Sequence, residues 1–350
     1  MSILEKINIY VPRDIGNKLR NDALMFEVLK ADGQSINMNR FLSMLIVGYY
    51  DDYISECHDA VDATIEILEM NGVSKKTSAQ IADKVLEELV LPKIPARKGK
   101  SPMRLSLKPT NETEGLIISI MDSLGSNDYT SQYFCRMLMK YCEKPFSSRE
   151  RILFSEKYKK LIESCKNQRV ISFSTIWNKQ KLHTVIPYCM TVGEEEMFNY
   201  LLCCEIDEQG NQRAQAYRLN RIDKINYSGK PILIDSNIEK YLEMMLKYGP
   251  QYAINDDEET CVKLSEYGRK SFNRIYYGRP KYERIEKDGD YYNYYFKGSK
   301  DQIFFYFRRF GCNEAEIISP LSLRERMKQF HIKSLETYNQ QETNHEQQNI

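Results

Sequence analysis

KINIYV, residues 6–11, alternates without a break: Ile7, Ile9 and Val11 fall on one side of an extended chain, and Lys6, Asn8 and Tyr10 on the other. A period of two with one apolar side predicts a half-buried strand. Pro12 ends it, and Asp14 can cap the helix beyond. Leu19, Ala23, Phe26 and Leu29 then recur at helical spacing. Beyond the turn residues Asp32 and Gly33, a second helix is predicted from Phe41, Leu42, Leu45, Ile46 and Tyr49. The order is strand, helix, helix.

That order returns in MRLSLKP, residues 103–109, where Met103, Leu105 and Leu107 oppose Arg104, Ser106 and Lys108. A first helix follows through Leu116, Ile117, Ile120 and Leu124, broken at Gly125. A second carries Tyr133, Phe134, Met137, Leu138 and Tyr141, the pattern of residues 41–49 repeated at a constant offset. Asn39 and Ser131 stand two residues ahead of each first aromatic and read as helix caps.

The chain has 350 residues, too many for one core. Outward from the repeat, the pattern divides it into seven parts. Residues 1–54 are the first strand-helix-helix unit, 55–91 a helical insert broken near Asn71 and Gly72, and 92–102 a basic linker with Arg97, Lys98 and Lys100. Residues 103–150 are the second unit. Residues 151–235 open with an amphipathic helix and continue as closely spaced short strands, VISFSTIW, HTVIPYCMTV, MFNYLLCCEID and QAYRLNRIDKINY, which predict a small barrel. Residues 236–338 read from 260 as strand, helix, strand, strand, helix, strand with a closing helix after Pro320. That order predicts a ferredoxin-like sandwich. The polar tail 339–350 is expected to be disordered. The fold class is α+β and multidomain.

Fifty Lys plus Arg against 49 Asp plus Glu leave a net charge of +1, so any affinity for nucleic acid must come from local patches. Nine cysteines without a C-x-x-C and only four histidines offer neither a disulfide framework nor a metal site, and no cofactor is expected. MSILEKINIY has no leader pattern and no apolar run approaches the roughly 20 residues that span a bilayer, which implies a cytoplasmic protein without a membrane partner. No Ser or Cys with a base in a recognised elbow, no H-E-x-x-H and no glycine-rich phosphate loop is found, so the chain is read as no enzyme.

One strand and two helices cannot bury their apolar faces alone. Two copies can pair their strands into an antiparallel ribbon and interlock four helices. The repeat, and IYVP especially, resembles the ribbon-helix-helix family in tandem, pseudo-two-fold form. The ribbon face then shows Lys6, Asn8, Tyr10, Arg104, Ser106 and Lys108, a width that fits the major groove. The helix starts near Asn39 and Ser131 offer amides to phosphate. A purely structural bundle is the alternative.

Residues 155–230 resemble the WYL domain, an Sm-like or SH3-like β-barrel of bacterial regulators. Asn199, Tyr200 and Leu201 stand at its name-giving triplet, Gln215 to Ile222 at its basic strand, and His183 in place of an arginine ahead of Pro187. Candidate ligand or nucleic-acid contacts are His183, Tyr200, Arg213, Tyr217, Arg218 and Arg221, forked cations for phosphate and rings for bases. The structural alternatives are an arginine paired with Asp223 or Glu205, and tyrosines packed in the sheet. The C-terminal segment resembles the extension that follows many WYL domains.

Taken together, the arrangement resembles the WYL accessory proteins of type VI-D CRISPR systems. The resemblance implies a homodimer that binds single-stranded RNA and raises the activity of the RNA-guided effector ribonuclease. The second function reading is a transcriptional regulator whose ribbon reads duplex DNA and whose barrel senses a ligand. A third is a scaffold with no nucleic-acid affinity.

Overall fold

The computed structural model describes residues 6–95, 101–111, 113–124, 127–194, 197–227 and 232–347, side chains of 127–129 and 340–347 excepted. The chain is mixed α and β, in two compact units that part between Lys159 and Lys160.

In the first unit, β1 (Ile7–Val11) pairs antiparallel with β2 (Met103–Leu107), Ile9 opposite Leu105 and Asn8 opposite Ser106. Both strands come from one chain. Ile9, Val11, Leu105 and Leu107 turn inward and are buried. Against them pack α1 (Arg13–Met25), α2 (Met38–Met70) and α5 (Asn127–Glu143), with α4 (Glu114–Leu124) on α5 and α3 (Lys75–Val85) in the insert. Phe41, Leu42, Leu45, Ile46 and Tyr49 of α2, and Phe134, Met137, Leu138 and Tyr141 of α5, have no exposed surface. Burying each such side chain is worth about 1.5–3 kcal/mol. Rings of the two copies meet edge to face, Tyr141 lying 6.4 Å from both Phe41 and Tyr49.

Two local expectations change in this unit. The boundary expected at 54/55 falls inside α2, which runs unbroken for 33 residues before the turn at Asn71 and Gly72. Asn37, not Asn39, caps α2 by accepting from the Arg40 amide. Gly125, expected to break the helix, and the linker cations Arg97, Lys98 and Lys100 lie outside the described residues. A short helix α6 (Phe146–Leu153) then packs on α2 so closely that a Cβ on Gly48 would stand 2.1 Å from the Ile152 carbonyl oxygen.

The amphipathic helix expected at the start of 151–235 is two, the end of α6 and α7 (Ser155–Lys166), divided at Phe154. In the second unit, β3 (Ile171–Thr175), β4 (His183–Val192), β5 (Asn199–Ile206), β6 (Gln212–Arg218) and β7 (Ile222–Tyr227) form one antiparallel sheet in the order β6-β5-β4-β3-β7. QAYRLNRIDKINY is therefore two strands, interrupted by a 3-10 turn at Leu219–Arg221. Because that three-residue turn joins the two outer strands, the sheet must curl until its edges approach. β5 is buried on both faces, the outer one under α8 (Ser236–Tyr248), where Leu202 and Ala214 meet Leu242 and Met245.

The remaining residues run β8 (Thr260–Leu264), α9 (Glu266–Arg274), β9 (Arg284–Asp288), β10 (Tyr291–Phe296), α10 (Lys300–Phe307), β11 (Ala315–Ser319) and α11 (Leu321–Gln347). The sheet order is β11-β8-β10-β9, all neighbours antiparallel. β10 splits its aromatic run by period two. Tyr294 and Phe296 enter the core, while Tyr291 and Tyr295 lie under Lys263 and Arg284. The backbone of 339–347, expected to be disordered, continues α11.

Candidate functional site

Period two decides where each candidate of the curled sheet goes. Arg213 and Tyr217 share one face of β6 and Arg218 takes the other, so the expected cluster divides. On the first face, Glu205 stands directly opposite Arg213 and collects the polar groups around it. Its carboxylate accepts from His183 Nδ1 at 2.6 Å and from Arg213 Nη2 and Nε at 2.6 and 3.0 Å. The Tyr217 hydroxyl lies 2.8 Å from His183 Nδ1 and also donates to Glu205. Phe173 stacks on His183 at 5.8 Å and meets Tyr217 edge-on at 5.0 Å.

Burial pushes the Glu205 carboxyl up, but the hydrogen bonds from His183 and Arg213, with the charge of Arg213, outweigh it and hold the group below the ordinary glutamate range. The same burial, beside Glu205, pushes the Tyr217 phenol up and keeps it a donor. The Glu205 carboxylate and the Arg213 guanidinium offset each other. His183, Arg213 and Tyr217 thus come together, on an internal carboxylate rather than on an open cationic mouth.

On the opposite face, Arg218 stands across from Tyr200, its guanidinium carbon 3.4 Å from the centroid of Phe198. Tyr200 is only 4% exposed, and its ring packs against Gly193, where a Cβ would come within 3.2 Å. It is a packing residue, not a surface for a base. Arg221 lies apart on the 3-10 turn, its carbonyl accepting from the Ile176 amide at 2.9 Å.

The ribbon keeps its expected face. Lys6, Asn8, Tyr10, Arg104 and Lys108 are exposed and Ser106 half-buried, its hydroxyl donating to Asn8 Oδ1 at 3.1 Å. Each second helix also reaches a strand of the other copy. Asn39 accepts from the Lys108 amide at 2.6 Å and donates to its carbonyl at 3.1 Å, and Ser131 accepts from the Tyr10 amide at 3.4 Å. Asn39 is the second residue of α2 and Ser131 the fifth of α5, so neither caps a helix, and both side chains anchor strands instead of marking the free amide sites expected.

The arginines of the C-terminal segment are engaged within it: Arg324 with Glu316 at 2.6 Å, Arg326 with Asp301 at 2.5 Å, Arg309 with the Tyr277 and Tyr306 carbonyls, and Arg308 over Phe305. Burial raises the thiols of Cys135, Cys189 and Cys204 to about 11 and those of Cys142 and Cys165 to about 12, which keeps them protonated. Among the described residues no group of three or more His, Cys, Asp or Glu is placed to hold a metal ion, and no helix is long and apolar enough to cross a membrane.

Sequence reasoning missed Trp177. It is 68% exposed on the loop between β3 and β4. The signal that could have found it was a tryptophan among polar residues at the end of an alternating strand.

No protein-family model and no curated protein matches this chain. A solved structure described as "Crystal structure of a CRISPR Cas-related protein" shares the fold at TM-score 0.64 and 18% identity, covering 97% of this chain and 95% of that one. "Proteasome accessory factor B/C (PafBC) of Arthrobacter aurescens" aligns at 11% identity over 96% of this chain and 50% of that one, with a TM-score of only 0.25.

Proposed function

We propose that this chain is a non-catalytic CRISPR accessory protein that binds single-stranded RNA and raises the activity of a type VI-D RNA-guided ribonuclease, acting as a cytoplasmic homodimer. In this reading the first unit is a tandem ribbon-helix-helix, residues 151–235 a WYL barrel of Sm-like or SH3-like type, and residues 236–338 its ferredoxin-like extension. The carrying observation is the polar ribbon face of Lys6, Asn8, Tyr10, Arg104, Ser106 and Lys108, with no acidic residue among the six, in a fold that matches a CRISPR Cas-related protein from end to end. The two strands are unlike. An irregular single strand suits such a face better than a palindromic duplex does.

Anisotropy titrations with labelled single-stranded RNA and duplex DNA across a salt series test the binding. RNA is expected to bind more tightly than duplex, and Arg104→Ala with Lys108→Ala to flatten the log–log salt slope by about 0.7 per cation removed. Collateral cleavage by the effector is expected to rise when the protein is added. Absence of RNA binding at micromolar protein and an unchanged cleavage rate refute the proposal, and light scattering that shows only monomer removes the homodimer.

The second reading, a DNA-binding regulator, is favoured by the same ribbon being preformed at a width that suits the major groove. Tighter binding to duplex, lost with Asn8→Ala and Lys6→Ala, selects it.

A further inference from the structure

The chain holds one tryptophan. Trp177 opens a run of exposed residues, Trp177 to Leu182, that joins β3 to β4. An indole is among the largest apolar surfaces a side chain can bury, so one left in water wants an explanation. The loop is not slack. Asn178 N donates to the Thr175 carbonyl and hydroxyl, both at 3.2 Å, and Asn178 Oδ1 accepts from the amides of Gln180 and Lys181 at 3.3 and 3.1 Å. Ile176 N, one residue ahead, is tied to the Arg221 carbonyl at 2.9 Å. Trp177 is therefore presented on backbone held on both sides.

Charge identifies the occupant. Residues 176–182, IWNKQKL, carry Lys179 and Lys181 and no acid, and neither lysine forms an ion pair among the described residues. Lysine is depleted where proteins dock on proteins. A flat ring beside unneutralised cations is the arrangement that grips single-stranded nucleic acid, because every base has a face to stack and every nucleotide a phosphate.

We infer that Trp177, Lys179 and Lys181 form a stacking finger for single-stranded RNA, one base lying on the indole and flanking phosphates on the two lysines. This rests on the RNA-binding reading above and locates a contact outside the ribbon and outside the Glu205 cluster. Since the tryptophan is unique, its own fluorescence reports on this loop alone.

The full-length protein is titrated with unlabelled oligouridine of about 15 nucleotides, within the usual site size. In parallel, a labelled copy is followed by anisotropy, and duplex DNA serves as a second probe. Oligouridine is expected to quench the indole at the concentrations that raise the anisotropy. Trp177→Ala is expected to weaken binding roughly tenfold, about 1.4 kcal/mol, with an unchanged melting temperature, and Trp177→Phe to weaken it less. Lys179→Ala with Lys181→Ala is expected to lower the salt slope by about 0.7 per lysine. Rising anisotropy with steady emission and an unaffected Trp177→Ala variant overturns the finger and leaves the RNA reading standing. Quenching by duplex as strong as by oligouridine also overturns it. A wild-type protein that gives no anisotropy change removes both.

Discussion

Arg149 closes a two-pronged ion pair on Asp22, Nε to Oδ2 at 2.7 Å and Nη2 to Oδ1 at 3.0 Å, with the aspartate wholly buried. The third guanidinium nitrogen donates to the Lys144 carbonyl at 2.7 Å, so one side chain fastens α6 both to α1 and to the end of α5. Forked geometry and complete pairing are what allow charges to sit in a core. Removing one partner strands the other. Asp22→Asn or Arg149→Met is expected to cost about 3–5 kcal/mol in urea unfolding, and Asp22→Leu with Arg149→Met to recover much of that. A single variant within about 1 kcal/mol of wild type refutes the assignment.

Acid should loosen the second unit through Glu205. Its folded-state carboxyl titrates below the ordinary glutamate value of about 4.3, so the stability it contributes is complete above that pH and is lost as pH falls through the lowered value. Urea midpoints are expected to decline below about pH 4.3. Glu205→Gln is expected to be less stable at neutral pH and to decline less steeply. Parallel declines for the two proteins contradict this.

Asn39 and Asn37 separate two jobs that look alike in sequence. Asn37→Ala removes a helix cap and is expected to cost about 1 kcal/mol. Asn39→Ala removes two hydrogen bonds to the Lys108 backbone, a comparable loss, and should in addition speed hydrogen exchange at the Lys108 amide. Unchanged exchange there counts against the strand anchor.

Two glycines mark places where backbones touch. An alanine at Gly48 meets the Ile152 carbonyl oxygen at 2.1 Å, and one at Gly268 meets the Glu314 carbonyl oxygen at 1.9 Å. Each substitution is expected to lower stability by about 1–3 kcal/mol. Gly115, on α4 with nothing within 4 Å of an added Cβ, is the control, and its alanine variant is expected to gain about 0.5 kcal/mol. Calorimetry reads all three.

What the sequence showed well was what periodicity controls. The inward residues of β1 and β2, the apolar stripes of α2 and α5, and the strand-helix-strand-strand-helix-strand order after 260 all come from spacing of two or near 3.6. The ribbon face was readable for the same reason. What stayed hidden depends on partners distant in the chain. Asn39 sits where a cap is expected, and only the fold brings Lys108, 69 positions away, within its reach. Tyr200 was read as a stacking ring, yet β5 is covered on both faces, so neither side of it is open. Arg213, Tyr217 and Arg218 are near neighbours in sequence, and the pleat sent them to two faces.

The pairing of β1 with β2 inside a single polypeptide has a consequence for the cell. A ribbon built from two molecules dissolves when protein is scarce, since its assembly obeys mass action. Here both halves arrive on one translation product, tethered, and the face they make persists at any dilution.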